Sequence, residues 1–159
     1  MEGQLDLALQ TGPFKSKTFT SDALGQENYC WVVNSDLINQ ISAKPTLAEL
    51  FDLTILTHAK HTQACAALHS LATERGLRSE RIVHSSALSA CVPMALEGLG
   101  VALLPERLVA SELASGELHW VESDWLPAPL FFYARYAPAR AALYVEKAAQ
   151  IAKAAMRGR

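Results

Sequence analysis

Two histidines in the middle of the chain have a spacing that metal sites use. His58 and His61 lie three residues apart, so a helix would bring both imidazoles to one face. A structural metal ion takes more than two protein ligands, and the pattern around this pair offers no third one. We therefore predict no metal site. We interpret His84, which ends a short apolar run, as a hydrogen-bonded structural residue.

The three cysteines do not indicate a disulfide or zinc framework. Their number is odd, no Cys-x-x-Cys pair occurs, and Cys30, Cys65 and Cys91 lie within apolar segments. This usage favours buried thiols in a reducing compartment. Because the chain also carries no pattern of an export signal, we predict a cytoplasmic protein.

Hydroxyl side chains follow two of the apolar runs. Thr57 comes after the run at residues 53–56, and a helix cap and a ligand contact fit this position equally well. Ser85 and Ser86 precede an apolar helical stretch, and there we favour capping over ligand binding. No nucleophile elbow, Gly-x-Gly-x-x-Gly motif or P-loop occurs, so we predict no catalytic residue, no cofactor and no enzyme activity.

The segment at residues 85–105 is the unit around which the other elements are arranged. Its helix ends at Gly98 and Gly100 and turns directly into the apolar run at residues 101–104, which is typical of a buried strand. Pro93 should make the helix kink or begin late, near Val92. Units of this kind place ligands outside the carboxyl ends of their strands.

The remaining elements alternate in the same way. A capping box at Thr46 and Glu49 predicts a helical turn, and apolar stripes predict helices over residues 61–77 and 138–156. Strands are predicted at residues 5–9, 17–24, 28–33, 53–56, 81–84, 118–121 and 130–134, the last of them central in its sheet. The alternation predicts an α/β fold with a largely parallel sheet.

The composition is that of a globular domain. The 159 residues are 50% apolar and 19% charged, with a formal net charge of −2. This balance provides no basic surface for nucleic acid, and no apolar run is long enough to cross a bilayer. We expect neither DNA contact through this chain nor membrane association.

Five short motifs occur in a familiar order. They are Gly3-x-Leu5-Asp6-Leu7-Ala8-Leu9, Leu24-Gly25-Gln26-Glu27, Thr46-Leu47-Ala48-Glu49-Leu50, Gly98-Leu99-Gly100-Val101-Ala102-Leu103-Leu104-Pro105 and Leu113-Ala114-Ser115-Gly116-Glu117-Leu118. In this order the chain resembles the effector-binding domain of LysR-type transcriptional regulators. The resemblance implies two Rossmann-like lobes joined by two crossover strands, similar to type 2 periplasmic binding proteins.

The resemblance also implies a division of the chain. Residues 1–35 and 134–159 would form the first lobe, and residues 36–133 the second. Family members carry a DNA-binding winged helix-turn-helix and an opening strand, helix and strand that have no counterpart here. We therefore interpret the chain as N-terminally truncated, with an incomplete first lobe whose unpaired strand edges favour association.

The family's effector contacts follow the strands that face the cleft between the lobes. The matching positions here are Thr11, Gly12, Thr57, His58 and Ala59, with Ser85 and Ser86 after the next strand. The implied effector is a small carboxylate, and the implied assembly is a homodimer, or a tetramer when intact, that reaches DNA only through the missing N-terminal part. The alternative is a periplasmic-type solute-binding protein of the same fold.

Overall fold

The computed structural model describes residues 6–12, 14, 19–137 and 143–157. Contacts divide the chain into a first unit, Met1–Glu27 with Pro129–Arg159, and a second unit, Asn28–Ala128. These boundaries lie closer to the N-terminus than the predicted ones after residues 35 and 133. The strands at residues 28–33 and 130–134, which would be the two crossover strands, each pair within a single unit.

The strands and helices of the described residues are as follows. The strands are β1 (Ala8–Thr11), β2 (Thr20–Glu27), β3 (Tyr29–Asn34), β4 (Ile55–His58), β5 (Ile82–Ser85), β6 (Val101–Pro105), β7 (Leu118–Val121) and β8 (Leu130–Tyr136). The helices are α1 (Ser35–Ile38), α2 (Leu47–Phe51), α3 (Gln63–Glu74), α4 (Cys91–Leu96), α5 (Ala110–Ser115) and α6 (Leu143–Arg157). Short 3-10 helices precede α4 and α5, at Leu88–Ala90 and Glu106–Val109.

The described part of the first unit is a three-stranded antiparallel sheet in the order β1-β8-β2. Its central strand is β8, as the aromatic run at residues 130–134 predicts. Leu24, Ala134 and Ala149 form its buried centre, and Ala149 comes from α6. Strands β1 and β2 lie a few residues later than predicted, and the predicted positions 5, 17, 18 and 138–142 lie outside the described residues.

The second unit is a five-stranded mixed sheet in the order β5-β4-β6-β3-β7. β4 pairs in parallel with β5 and β6, whereas β3 pairs antiparallel with β6 and β7. The prediction of a largely parallel sheet is therefore wrong. Strands β4 to β7, each preceded by a helix, do run in one direction, as helical crossovers require. β3 follows β2 without a helix and is inserted between β6 and β7 in the opposite direction.

Local signals in the second unit form the turns that the sequence predicts. Thr46 and Glu49 form a complete capping box at the start of α2. α3 is capped by Thr62, and Gly76 follows its end with a φ of 65°. α4 begins late, at Cys91, so Pro93 lies in its first turn, where a missing N–H removes no helical hydrogen bond.

One glycine of the second unit is required by a close backbone approach. A Cβ on Gly100 would overlap the carbonyl oxygen of Thr54, which accepts a hydrogen bond from the Val101 amide at 2.9 Å. This approach sets β6 beside β4. Beyond it, every residue of β6 is buried, as expected for a strand covered on both faces.

Within the described residues, no helix is both long enough and apolar enough to cross a membrane.

Candidate functional site

Five of the seven predicted effector residues gather at one edge of the second unit's sheet. Thr57 and His58 are the last residues of β4, Ser85 is the last residue of β5, and Ala59 and Ser86 follow these strands. Because β4 and β5 are parallel and His58 is the register partner of Ser85, their carboxyl ends coincide. This edge is where open α/β sheets bind ligands.

Thr57 lies inside β4 and is only 1% exposed. The alternative that it caps a helix is wrong, because the strand continues to His58 and α3 begins only at Gln63. The cap is Thr62, whose Oγ1 accepts a hydrogen bond from the Cys65 amide at 3.4 Å. A ligand contact through Thr57 stays a prediction.

Ser85 and Ser86 do not cap the helix that follows them. The residues at the cap positions are Ala87 and Ala90, and neither provides a side-chain hydrogen bond. The Ser85 hydroxyl instead closes a tight turn, since it accepts from the Ala87 amide at 3.2 Å and donates to the Ala87 carbonyl at 2.7 Å. The capping prediction is wrong because a 3-10 turn separates the serines from α4. Ser86 is exposed.

Thr11 and Gly12 belong to the first unit. Thr11 ends β1 opposite Phe132 of β8 and is exposed. A Cβ on Gly12 would touch the rings of Phe14 and Tyr133 at 3.5 Å, and these two rings meet edge to face. The role of both residues in effector binding stays a prediction.

The loop between β4 and α3 is rich in groups that favour anions. Lys60 and His61 lie in this loop, His58 directly precedes it, and no acidic residue lies between Thr57 and Gln63. Lys60 is exposed. The 12-residue helix α3 starts directly after this loop, so the partial positive charge of its N-terminal amides adds to the lysine's charge.

His58 and His61 do not share a helix face, contrary to the spacing argument. His58 ends β4, and His61 precedes the helix. The groups that do come together are the thiol of Cys65 and the imidazoles of His69 and His84. The sequence shows only part of this cluster, because Cys65 and His69 are four residues apart on α3 whereas His84 comes from β5.

The cluster has a defined hydrogen-bond geometry. His84 Nδ1 lies 3.2 Å from the carbonyl oxygen of His58 and 3.4 Å from Cys65 Sγ, while its Nε2 lies 3.3 Å from His69 Nε2. The prediction that His84 is hydrogen bonded is confirmed. Burial lowers the pKa of His69, and the charges of His84 and Lys60 act in the same direction. Burial raises the pKa of the Cys65 thiol, and Lys60 partly opposes this shift.

Two surface cavities of the second unit lie away from the predicted site. One of about 430 Å³ lies between the ends of α2 and α3 and is lined partly by Asp52, Arg78 and Arg81. The other, of about 410 Å³, is lined partly by Asn34 and Glu97. Neither is lined by any of the seven predicted effector residues.

Comparison with solved structures identifies regulatory domains with this fold. A bromide-bound regulatory domain of HypT from Salmonella typhimurium superposes with a TM-score of 0.76 at 19% identity, covering 99% of this chain and 75% of that one. The CrgA regulatory domain of Neisseria meningitidis, a LysR-type transcriptional regulator, gives 0.70 at 18% identity, covering 96% and 76%. The Synechocystis CcmR regulatory domain in complex with 2-PG gives 0.70 at 16% identity, covering 95% and 73%.

Sequence comparison gives the family directly. No curated protein matches the chain significantly. The profile of the LysR substrate binding domain, however, matches residues 1–157, which is almost the whole chain. Both the resemblance in the five motifs and the predicted α/β class agree with this match. The chain therefore belongs to the LysR substrate-binding domain family.

Proposed function

We propose that the chain is the small-molecule effector-binding regulatory domain of a LysR-type DNA-binding transcriptional regulator. The observation that carries the proposal is the convergence of β4 and β5 at one sheet edge. There Thr57, Ser85 and Ser86 supply hydroxyls, and the start of α3 supplies backbone amides. Hydroxyls and amides at a strand edge form a binding module, and the Ser85 hydroxyl donates to the Ala87 carbonyl rather than to a histidine base.

The effector is a small anion, most simply a carboxylate. Lys60, which is exposed, and the α3 N-terminus both favour negative charge beside the predicted contacts. No carboxylate in the β4 to α3 loop opposes an anion. The HypT domain named above holds bromide, also an anion, which supports this ligand class.

The effector regulates by shifting a conformational equilibrium. A ligand changes the population of two lobe arrangements only if it binds one of them more tightly. The change passes through a homodimer, or a tetramer in the intact protein, to DNA-binding parts outside this chain. As part of this proposal, the protein is cytoplasmic and has no membrane partner.

The assignment is tested by calorimetry on the purified chain with a panel of acetate, succinate, citrate and benzoate. The anion that binds is then titrated into Thr57→Val, which keeps the side-chain shape and removes the hydroxyl. We expect affinity to fall by about 1 to 3 kcal/mol, because an anionic acceptor loses its donor. The matched control is Thr73→Val on α3, whose hydroxyl bonds the His69 carbonyl at 2.9 Å.

Two outcomes would contradict the proposal. One is that a broadened panel, with phosphates and bromide added, yields no ligand. The other is that the two threonine variants bind the anion equally, which would leave Thr57 as a core residue. The proposed assembly is checked by sedimentation of the chain, which should show dimers that dissociate on dilution. A monomer at every concentration would contradict it.

A further inference from the structure

One thiol and two imidazoles converge behind the predicted effector edge, on side chains that the proposed function does not use. Cys65 and His69 lie on the same face of α3, since residues four apart on a helix are neighbours. His84 reaches them from β5, the edge strand of the sheet. One ligand atom from each of the three lies within 4.8 Å of the others.

The separation of the two imidazole nitrogens matches that expected at a tetrahedral metal site. Zinc binds imidazole nitrogen at about 2.0 to 2.1 Å, so two nitrogens of a tetrahedron are separated by about 3.3 Å. His69 Nε2 and His84 Nε2 are 3.3 Å apart. Cys65 Sγ lies 3.4 Å from Nδ1 of the His84 ring, so a rotation of the cysteine side chain has to bring the sulfur towards the two Nε2 atoms to complete the three ligands.

The hydrogen bond from His84 to the backbone sets the tautomer of its imidazole ring. The His58 carbonyl oxygen, 3.2 Å from Nδ1, only accepts hydrogen bonds, so we assign the hydrogen to Nδ1, with Cys65 Sγ, 3.4 Å from the same nitrogen, as a weak second acceptor. The lone pair is then on Nε2, the nitrogen that faces His69. A backbone carbonyl behind a metal-binding histidine is the usual means of fixing its tautomer and orientation.

The surroundings favour neutral imidazoles and a soft or borderline metal. Burial lowers the pKa of His69, and this favours the neutral ring that metals bind. Cys65 is fully buried, and burial raises its pKa, so its thiol is protonated until a metal displaces the proton. Sulfur and nitrogen ligands without a carboxylate suit Zn²⁺ rather than Mg²⁺ or Ca²⁺.

We propose that Cys65 Sγ, His69 Nε2 and His84 Nε2 bind one Zn²⁺ ion, with a fourth position left for water or an anion. Binding forms one Zn–S and two Zn–N bonds. It breaks the S–H bond of Cys65, whose proton goes to solvent, and no electron is transferred. The ion joins α3 to β5. The site stands on its own geometry, independently of the effector proposal.

The site is tested with Co²⁺, which reports tetrahedral coordination by its visible absorption and thiolate coordination by a near-ultraviolet charge-transfer band. The metal-stripped chain should bind one equivalent of Co²⁺ with both signals, and Zn²⁺ should displace it. At neutral pH, Zn²⁺ binding should release one proton per ion beyond that of the buffer control. Absence of the charge-transfer band from the unmodified chain would overturn the proposal.

Matched variants assign the ligands. Cys65→Ser should abolish the charge-transfer band, whereas Cys91→Ser, at a buried cysteine of α4, should retain it. His69→Gln changes a partly exposed side chain and leaves the core intact, so it remains informative if Cys65→Ser does not fold. We expect at least a tenfold loss of Zn²⁺ affinity for His69→Gln and none for the exposed His61→Gln. Equal affinities in the two histidine variants would overturn the proposal.

Discussion

The two units of the chain are built on different amounts of buried surface. In the second unit, all of β6 and nearly all of β3 are buried, and both strands are continuous apolar runs apart from Asn34 at the end of β3. In the first unit, β1 and β8 contain one fully buried residue, Ala134, and Phe131 is 48% exposed. The difference teaches that the second unit has the rigid frame a precise site needs, while the described part of the first is more tolerant of change.

A pair of glycine substitutions should separate the two units most strongly. Gly100→Ala should destabilise the second unit by about 3 kcal/mol or more, because its Cβ would meet the rigid Thr54 carbonyl. Gly25→Ala in β2 should cost less than about 1 kcal/mol, because its Cβ would lie 3.3 Å from the flexible Met156 side chain. Urea denaturation followed by circular dichroism measures both. Equal losses of unfolding free energy in the two variants would contradict the proposed difference between the units.

A pair of apolar truncations should give the next largest difference. Leu104→Ala removes a side chain with no exposure from the core of the second unit, and we expect a loss of about 2 to 5 kcal/mol. Phe131→Ala removes a half-exposed ring from β8, and we expect about 1 kcal/mol or less. The same denaturation experiment measures both changes. A larger effect at Phe131 would show that the described surface of β8 is buried in solution.

The smallest expected effect is an electrostatic contribution within the second unit. Asp124 accepts hydrogen bonds from Arg75 Nη1 and from the Leu47 amide, both at 2.7 Å, and thereby joins the end of α3 to the start of α2. The bond to Arg75 is the main cause that lowers the pKa of Asp124 below its ordinary value of 3.8. Asp124→Asn keeps an oxygen for Leu47 but loses the ion pair. Because the pair is partly exposed, we expect a loss below about 1 kcal/mol.

The pH dependence of this variant has a definite sign. A carboxyl whose pKa is lowered by folding stabilises the native state fully above its unfolded pKa and loses that contribution as the pH falls through its folded pKa. The difference between Asp124→Asn and the unmodified chain should therefore be present in full at about pH 7 and be smaller at about pH 3, below the ordinary pKa of 3.8. Denaturation at both pH values measures it. A difference that grows in acid would contradict the assigned ion pair.

The features that the sequence predicted correctly depend on neighbouring residues. The capping box at Thr46 and Glu49 is a contact across one helical turn, and the late start of α4 follows from the ring of Pro93 alone. Both can therefore be inferred from a short window. The α/β class follows in the same way, from strands and helices whose apolar patterns are local.

The features that could not be predicted depend on distant partners. β3 is antiparallel because β6 and β7 flank it, and both follow about seventy or more residues later in the chain. Thr57 is a strand residue rather than a cap because the pairing of β4 with β5 continues beyond it, to His58 opposite Ser85. The Cys65, His69 and His84 cluster has only its helical pair visible in the sequence.

The central claim, that the β4 and β5 edge binds a small anion, is tested most directly by nuclear magnetic resonance. The ¹⁵N-labelled chain is titrated with the carboxylate panel, and the amide signals that move identify the binding surface. The account predicts saturable shifts at His58, Ala59, Ser85 and Ser86. Saturable shifts confined to the cavity beside Arg78 and Arg81, with this edge unaffected, would contradict it.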